Sequence, residues 1–518
     1  MFLRDFIPRC ASSYPDKTAF IHRDTHRTWT DMHRRSSRLG AALQSLGIRK
    51  GDVTGILSMN RIELAEHWFA CLKTGIVRAG VNWRYSTREM LHTIRDCDLK
   101  ALIIAADRVP QLAEHLDELR GAGVKLIGFG PHHGLDYDYE ALLAANDREP
   151  DYPPLGDEDW AMIGYTSGTT GLPKGAILSQ RAICESAIHN VMANNYSPDD
   201  VRLYVTNPAG INIFQVCFNM LTGMTTVLDD YDTVRFLELV AEHRVTTITV
   251  IPTILRRLID EIRSGHYDVS SLKQVCYGTM PITPALIRTA YDTLGCTFMQ
   301  RYGVSESAGA VAALRDSDHR LALQGEPELL TSVGRPLLHA DVSIRGDDGS
   351  ELPRGELGTV WIRSETLMSG YLNRPEETAE ALALPWLRTG DFGRMDERGY
   401  IYLGDRKKHM IISGGMNVYP LGVENALAEH PAVREAVVVG MPHPEWGEAV
   451  VAAVSLVPGA RVRPDELIAH CKHYVAKYET PKHVEVFDTL PQGNTNKIDK
   501  KRIKELLRDK MPWAIEVE

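Results

Sequence analysis

No Cys-x-x-Cys pair occurs in these 518 residues, and the eight cysteines, at 10, 71, 97, 184, 217, 276, 296 and 471, are scattered. That spacing excludes a zinc ribbon and a disulfide framework and suits thiols kept reduced. A Gly-Lys dipeptide is missing too, which rules out a Walker A loop. No window reaches eighteen apolar residues, so no transmembrane helix is expected. Arg4 and Asp5 interrupt the stretch where a secretory leader needs its apolar run. Nor is there an excess of basic charge: 58 Lys and Arg against 68 Asp and Glu give a formal net charge of -10. Global attraction to nucleic acid or anionic lipid is thereby excluded. A soluble, cytoplasmic protein with no nucleic-acid partner is the expectation.

What is present is ordinary globular material, 44% hydrophobic and long enough for two or three domains. Helical patterns at Trp29–Leu46 and Ile62–Thr74 alternate with short apolar runs at Val53–Ser58 and Ala101–Ala105. The rhythm returns after Ser179, with strands expected at Leu203–Thr206, Thr225–Leu228, Thr246–Ile251 and Gln274–Tyr277. Helices are expected between and after them at Thr233–His243, Pro252–Arg263 and Pro284–Leu294. This alternation predicts an α/β fold of stacked doubly wound sheets over residues 1–404. From about 332 to 404, Gly, Pro and short alternating strands point to a β-rich subdomain. The tetrad Asp405-Arg406-Lys407-Lys408 reads as a joint before a small α+β C-terminal domain, 409–518.

The most informative string is Tyr165-Thr166-Ser167-Gly168-Thr169-Thr170-Gly171-Leu172-Pro173-Lys174-Gly175, directly after the apolar run Trp160–Gly164. Glycines let backbone N–H groups close on an oxyanion, hydroxyls add donors and a lysine adds a point charge. The chemistry is phosphate cradling.

This loop resembles the signature loop of the adenylate-forming superfamily, which includes acyl-CoA synthetases, nonribosomal peptide synthetase adenylation domains and luciferases. The resemblance extends over nearly the whole chain. Gln300-Arg301-Tyr302-Gly303-Val304-Ser305-Glu306 is similar to the family's Tyr-Gly-x-Thr-Glu motif, with serine for threonine. Arg388-Thr389-Gly390-Asp391 matches its Thr-Gly-Asp motif. Arg406 and the run Ser413 to Pro420 resemble the hinge and the strand-loop behind it. Gly493-Asn494-Thr495-Asn496-Lys497 stands where the family has its C-terminal lysine, although Asn496 replaces the usual glycine and Gln492 the usual basic residue.

The resemblance implies a role for each matched residue. Thr166, Ser167, Gly168, Thr169, Thr170 and Lys174 would hold the ATP phosphates. Gly278 and Thr279 would flank adenine, Tyr302 would lie over it and Gln300 would help read its amino edge. Asp391 would take the ribose hydroxyls and Arg406 the ribose or α-phosphate. Ser305 and Glu306 suit Mg²⁺, which binds through hard oxygens and substrate phosphates, although Ser followed by Glu also suits a helix N-cap. Lys497 would come from a mobile C-terminal domain, turning at Lys408, to neutralise charge at the α-phosphate.

The activity implied has two half-reactions. An acid and Mg·ATP give an acyl adenylate and pyrophosphate, and coenzyme A then takes the acyl group, with Gly415 beside its pantetheine arm. A carrier protein is the alternative thiol, and a non-catalytic nucleotide-binding homologue the alternative from another class. The acid stays open between fatty, aryl and short dicarboxylic. Asn212 and the apolar run Ile213–Met220 are placed at the acyl site, where a plain core helix explains the run equally well. Arg301 either clamps a second carboxylate or is a structural arginine paired with a nearby acid.

Overall fold

The computed structural model describes all residues except 167–171, 207–208, 210, 279–281, 283, 405–410, 415, 494–497, 509, 512 and 514–518, and not the side chains of 211, 212, 412 and 417. The expected joint at 405–408 therefore lies outside the described residues.

Two large sheets stack as expected. The first has nine strands, running in space from Arg335–Pro336 through Ala312–Leu314, Thr297–Tyr302, Gln274–Gly278, Thr247–Val250, Val201–Tyr204, Thr225–Leu228 and Thr18–His22 to Thr25–Thr28. The second has eight: Gly370–Tyr371, Lys174–Ser179, Trp160–Thr166, Val77–Gly80, Val53–Leu57, Ala101–Ala105, Lys125–Phe129 and Tyr137–Asp138. Most pairings are parallel. Val53–Leu57 and Ala101–Ala105 are buried at every residue, because strands covered by helices on both faces are apolar throughout rather than alternating.

Helices fill the space between the sheets. Ile62–Thr74 buries every residue but Glu63, with Trp68 and Phe69 fully enclosed, and it stops at Gly75 in the left-handed conformation. Trp29–Ser45 starts at a reciprocal cap: Thr28 accepts from the Asp31 N–H at 3.1 Å, and the Asp31 carboxylate accepts from the Thr28 N–H at 3.2 Å. One core joins both sheets across this layer, including Phe20 of the nine-stranded sheet and Ile103 of the eight-stranded one. On the outer face of the nine-stranded sheet, Thr233–Glu242, Pro252–Ser264 and Pro284–Leu294 bury a second core.

The β-rich stretch forms its own five-stranded sheet, built on Ala340–Arg345, Gly358–Ser364 and Trp386–Met395. A fourth sheet is built on Ile411–Ser413, Val433–His443, Gly447–Leu456 and His483–Phe487. The run Ile213–Met220 is a 3-10 turn leading into the helix Cys217–Thr222.

Candidate active site

The phosphate-cradling string sits on a hairpin. Trp160–Thr166 and Lys174–Ser179 pair antiparallel, with Thr166 opposite Lys174. Ser167, Gly168, Thr169 and Thr170 lie outside the described residues. Lys174 Nζ is 3.3 Å from Glu377 Oε1 and 5.7 Å from the centre of the Tyr371 ring. Tyr371 belongs to the two-residue strand Gly370–Tyr371 on the hairpin's outer edge, and its hydroxyl donates to Glu306 Oε1 at 2.7 Å. The Met368 N–H also donates to the Glu306 carbonyl, at 2.7 Å. Lys174 and Glu306, distant in sequence, therefore converge on one tyrosine.

Sequence reasoning missed Tyr371 and Glu377. Their only local signal is a Gly-Tyr pair and the first turn of the short helix Pro375–Ala381.

Tyr302 ends a strand of the nine-stranded sheet, and its hydroxyl donates to Asp391 Oδ2 at 2.9 Å. A bulge aims Asp391. In the pairing of Gly358–Ser364 with Trp386–Met395, Thr359 lies opposite Phe392 but Trp361 opposite Arg388, so Thr389-Gly390-Asp391 is extruded. Gly390 takes φ 75°, and the Asp391 N–H donates to Thr389 Oγ1 at 3.0 Å. Three residues beyond Tyr302, Ser305–Ser307 form one 3-10 turn whose cap position is Val304, so Ser305 is not the cap.

Gly278 is hemmed in, since a Cβ there would lie 2.5 Å from the Arg301 carbonyl oxygen. Thr279 lies outside the described residues. Gln300 is buried, with the Tyr277 hydroxyl 3.4 Å from its Oε1. Arg301 Nη2 donates to Asn194 Oδ1 at 2.6 Å and to the Tyr196 hydroxyl at 3.2 Å, and lies 2.7 Å from Cys276 Sγ. None of the three partners is a carboxylate, so Arg301 is held by an amide, a phenol and a sulfur and not by the nearby acid expected for a structural arginine. Phe214 and Phe218 pack edge to face at 5.5 Å; the Asn212 side chain lies outside the described residues.

Arg406, Lys408, Gly415 and Lys497 also lie outside the described residues. Their flanks are placed: the Tyr419 ring stacks on Phe392, next to Asp391, at 5.9 Å. Pro491 and Gln492 line a cavity of about 380 Å³ with Arg256 and Arg257 of the helix Pro252–Ser264. Tyr419 thus packs on the residue that follows Asp391.

The chain matches the AMP-binding enzyme family over residues 7–372 and that family's C-terminal domain over 422–497. It belongs to the AMP-binding enzymes. Among its relatives, a feruloyl-CoA synthase of Amycolatopsis is 34% identical over 96% of this chain and 97% of its own. An indoleacetate–CoA ligase of Aromatoleum aromaticum is 32% identical over 98% and 99%. An amide bond synthetase from Marinactinospora thermotolerans has a structure that superposes with TM-score 0.86 at 31% identity, covering 98% of this chain and all of that one. The AMP-binding family accounts for the stacked sheets and for the small C-terminal sheet. Among the described residues no group of three or more His, Cys, Asp or Glu can cage a metal. The donors present, the Glu306 carboxylate and the Ser305 hydroxyl, are hard oxygens suited to Mg²⁺ that arrives with nucleotide phosphates.

Proposed function

We propose that this AMP-binding enzyme is an ATP-dependent acid–thiol ligase, which joins a carboxylic acid to AMP with loss of pyrophosphate and then transfers the acyl group to coenzyme A. The observation that carries this is the convergence of Lys174 and Glu306 on Tyr371, which brings a cation for phosphate and a carboxylate for a metal to one place. Thr166, Lys174 and the loop 167–170 hold the triphosphate. Glu306 and Ser305 hold Mg²⁺, whose chemistry when bound is to neutralise charge on the departing pyrophosphate. Tyr302, Gly278, Thr279 and Gln300 enclose adenine, while Asp391 and Arg406 fix the ribose. Lys497 meets the α-phosphate as the acid's oxygen attacks in line, and the enzyme contributes position and charge rather than a nucleophile. Coenzyme A enters past Gly415 after rotation at Lys408.

An aromatic or arylalkyl acid suits the buried Phe214 and Phe218 and the feruloyl and indoleacetate relatives. The test is pyrophosphate release over a panel of acids with ATP, followed by mass spectrometry of the CoA thioester. No pyrophosphate with any acid refutes the reading. The amide bond synthetase neighbour favours a second reading in which an amine takes the acyl group. Adenylate formation with amide product and no thioester would establish it, and thioester formed only on an added carrier protein would identify that thiol instead.

A further inference from the structure

Three arginines from distant parts of the chain line one cavity that the nucleotide chemistry does not use. Arg256 and Arg257 stand near the start of the helix Pro252–Ser264, on the outer face of the nine-stranded sheet, and Arg434 stands on the strand Val433–His443 of the C-terminal sheet. The cavity between them measures about 380 Å³, with Glu435, Pro491 and Gln492 also on its wall. A bulge sets Arg434 apart in its strand: Val433 lies opposite Leu456 and Glu435 opposite Ser455, so Arg434 is the extra residue between them.

The arginines outnumber their counter-charges. Among the described residues neither Arg256 nor Arg257 forms a salt bridge. Arg434 Nη2 comes to 3.9 Å from Asp260 Oδ2, beyond hydrogen-bond reach, and Asp260 is exposed. The Glu435 carboxylate accepts from Ser455 Oγ at 3.3 Å. Burial pulls the Arg256 guanidinium below its ordinary range; Asp260 and Glu435 oppose this, and the charge of Arg434 adds to it. Like charges gathered where water is partly excluded are costly unless an anion joins them. Planar guanidinium groups converging from two sides match an oxyanion of two or more charges, and phosphate groups are such anions.

The cavity also lies at the root of the segment that carries Lys497. Gln492, on its wall, and Ile498 form an antiparallel bridge, which draws the two ends of that segment together.

We propose that this cavity binds a phosphate-type oxyanion, held by Arg256 and Arg257 on one side and by Arg434 on the other, which clamps the C-terminal domain to the helix Pro252–Ser264. Inorganic pyrophosphate and the phosphate groups of a nucleotide share this chemistry. Occupancy opposes rotation of the C-terminal domain. The site goes beyond the ligase reading and does not depend on which acid or thiol the enzyme takes.

The experiment titrates pyrophosphate and adenosine 3′,5′-bisphosphate into the full chain by calorimetry in a chloride buffer, with Lys174→Met as the host so that the phosphate loop does not compete. At least one of the two should bind the host, and adding Arg256→Met or Arg434→Met should weaken it about tenfold or more, with Arg434→Lys weakening it less. Circular dichroism checks folding, and Arg257→Met replaces Arg256→Met if that variant does not fold. Tighter binding of pyrophosphate would identify the inorganic ion as the ligand, and tighter binding of the bisphosphate a nucleotide phosphate; either supports the site. Hydrogen exchange reads the clamp: the bound ion should slow exchange about threefold or more in both 252–264 and 433–443 of the host, and in neither segment once Arg434→Met is added. A host that binds neither ion, or arginine variants that bind as tightly as the host, overturns the site. Protection confined to one of the two segments overturns the clamp. Should no acid release pyrophosphate from ATP, the ligase reading fails while these measurements still decide whether the arginines hold an oxyanion.

Discussion

The Tyr302 hydroxyl and the Asp391 carboxylate are hydrogen-bonded at 2.9 Å across 89 residues of chain, tying the nine-stranded sheet to the bulge of the β-rich sheet. If Asp391 receives the ribose diol, Tyr302 sets its direction. Tyr302→Phe removes a bond to a charged acceptor, so KM for ATP should rise about tenfold with a smaller effect on kcat. Steady-state kinetics at saturating acid test this. A fall in kcat alone would show that the pair acts elsewhere than in ground-state nucleotide binding.

Glu306 and Tyr371 should separate by charge. Glu306→Gln retains an acceptor for the Tyr371 hydroxyl but loses the negative charge, and pyrophosphate release should fall about a hundredfold or more. Tyr371→Phe should cost about tenfold or less. Titration with Mg²⁺ is the discriminating measurement, since only Glu306→Gln should need more metal for half-maximal rate.

The two half-reactions should be separable by substitution in the C-terminal region. Lys497→Ala should reduce adenylate formation about a thousandfold and leave thioester formation from supplied acyl adenylate intact. Lys408→Pro should do the reverse, because proline fixes φ at the joint and restricts Lys407 before it. Rapid-quench assays of each half-reaction read the outcome. Equal loss in both steps would mark either variant as a folding defect.

Gly278→Ala should destabilise the protein by about 1–3 kcal/mol. The added methyl would meet the Arg301 carbonyl of the neighbouring hydrogen-bonded strand at 2.5 Å, and neither backbone can yield without losing register. Thermal denaturation should show a lowered Tm, with Gly121→Ala, which meets nothing within 4 Å, as the control.

Lys73 makes stability depend on pH. Its ammonium is buried between helices, donating to the His33 carbonyl and Ser37 Oγ, each at 2.7 Å, and burial brings its pKa down to about 7. The unfolded chain, with an ordinary lysine near 10.5, binds more protons between pH 7 and 10.5, so stability should rise with pH across that window. Urea midpoints of the parent and Lys73→Met at pH 7, 8.5 and 10 should diverge in the parent's favour. A constant difference would mean that Lys73 stays charged throughout.

Much of this was legible in the sequence, for reasons particular residues make plain. Val53–Leu57 and Ala101–Ala105 are continuous apolar runs, and a strand covered on both faces has no other reading. Lys174, Glu306 and Asp391 stand within distinctive strings that single them out, and Lys174 and Glu306 meet at Tyr371. Tyr371 and Glu377 gave little signal, because a two-residue strand and a short helix are specified by what they pack against. Arg301 was visible, yet its partner Asn194 is 107 residues away and neutral, and no local pattern announces such a contact.

The two-residue strand Gly370–Tyr371 also bears on how the protein is made. It covers the outer edge of the hairpin that carries the phosphate loop, bonding at Ile177 and Ala176, yet it leaves the ribosome about two hundred residues after them. Until then Lys174–Ser179 is an uncovered edge, open to pairing with another chain. The edge of the hairpin therefore stays unpaired through early synthesis. Any truncation before Tyr371 should yield a species that self-associates through that edge, however complete its first sheet.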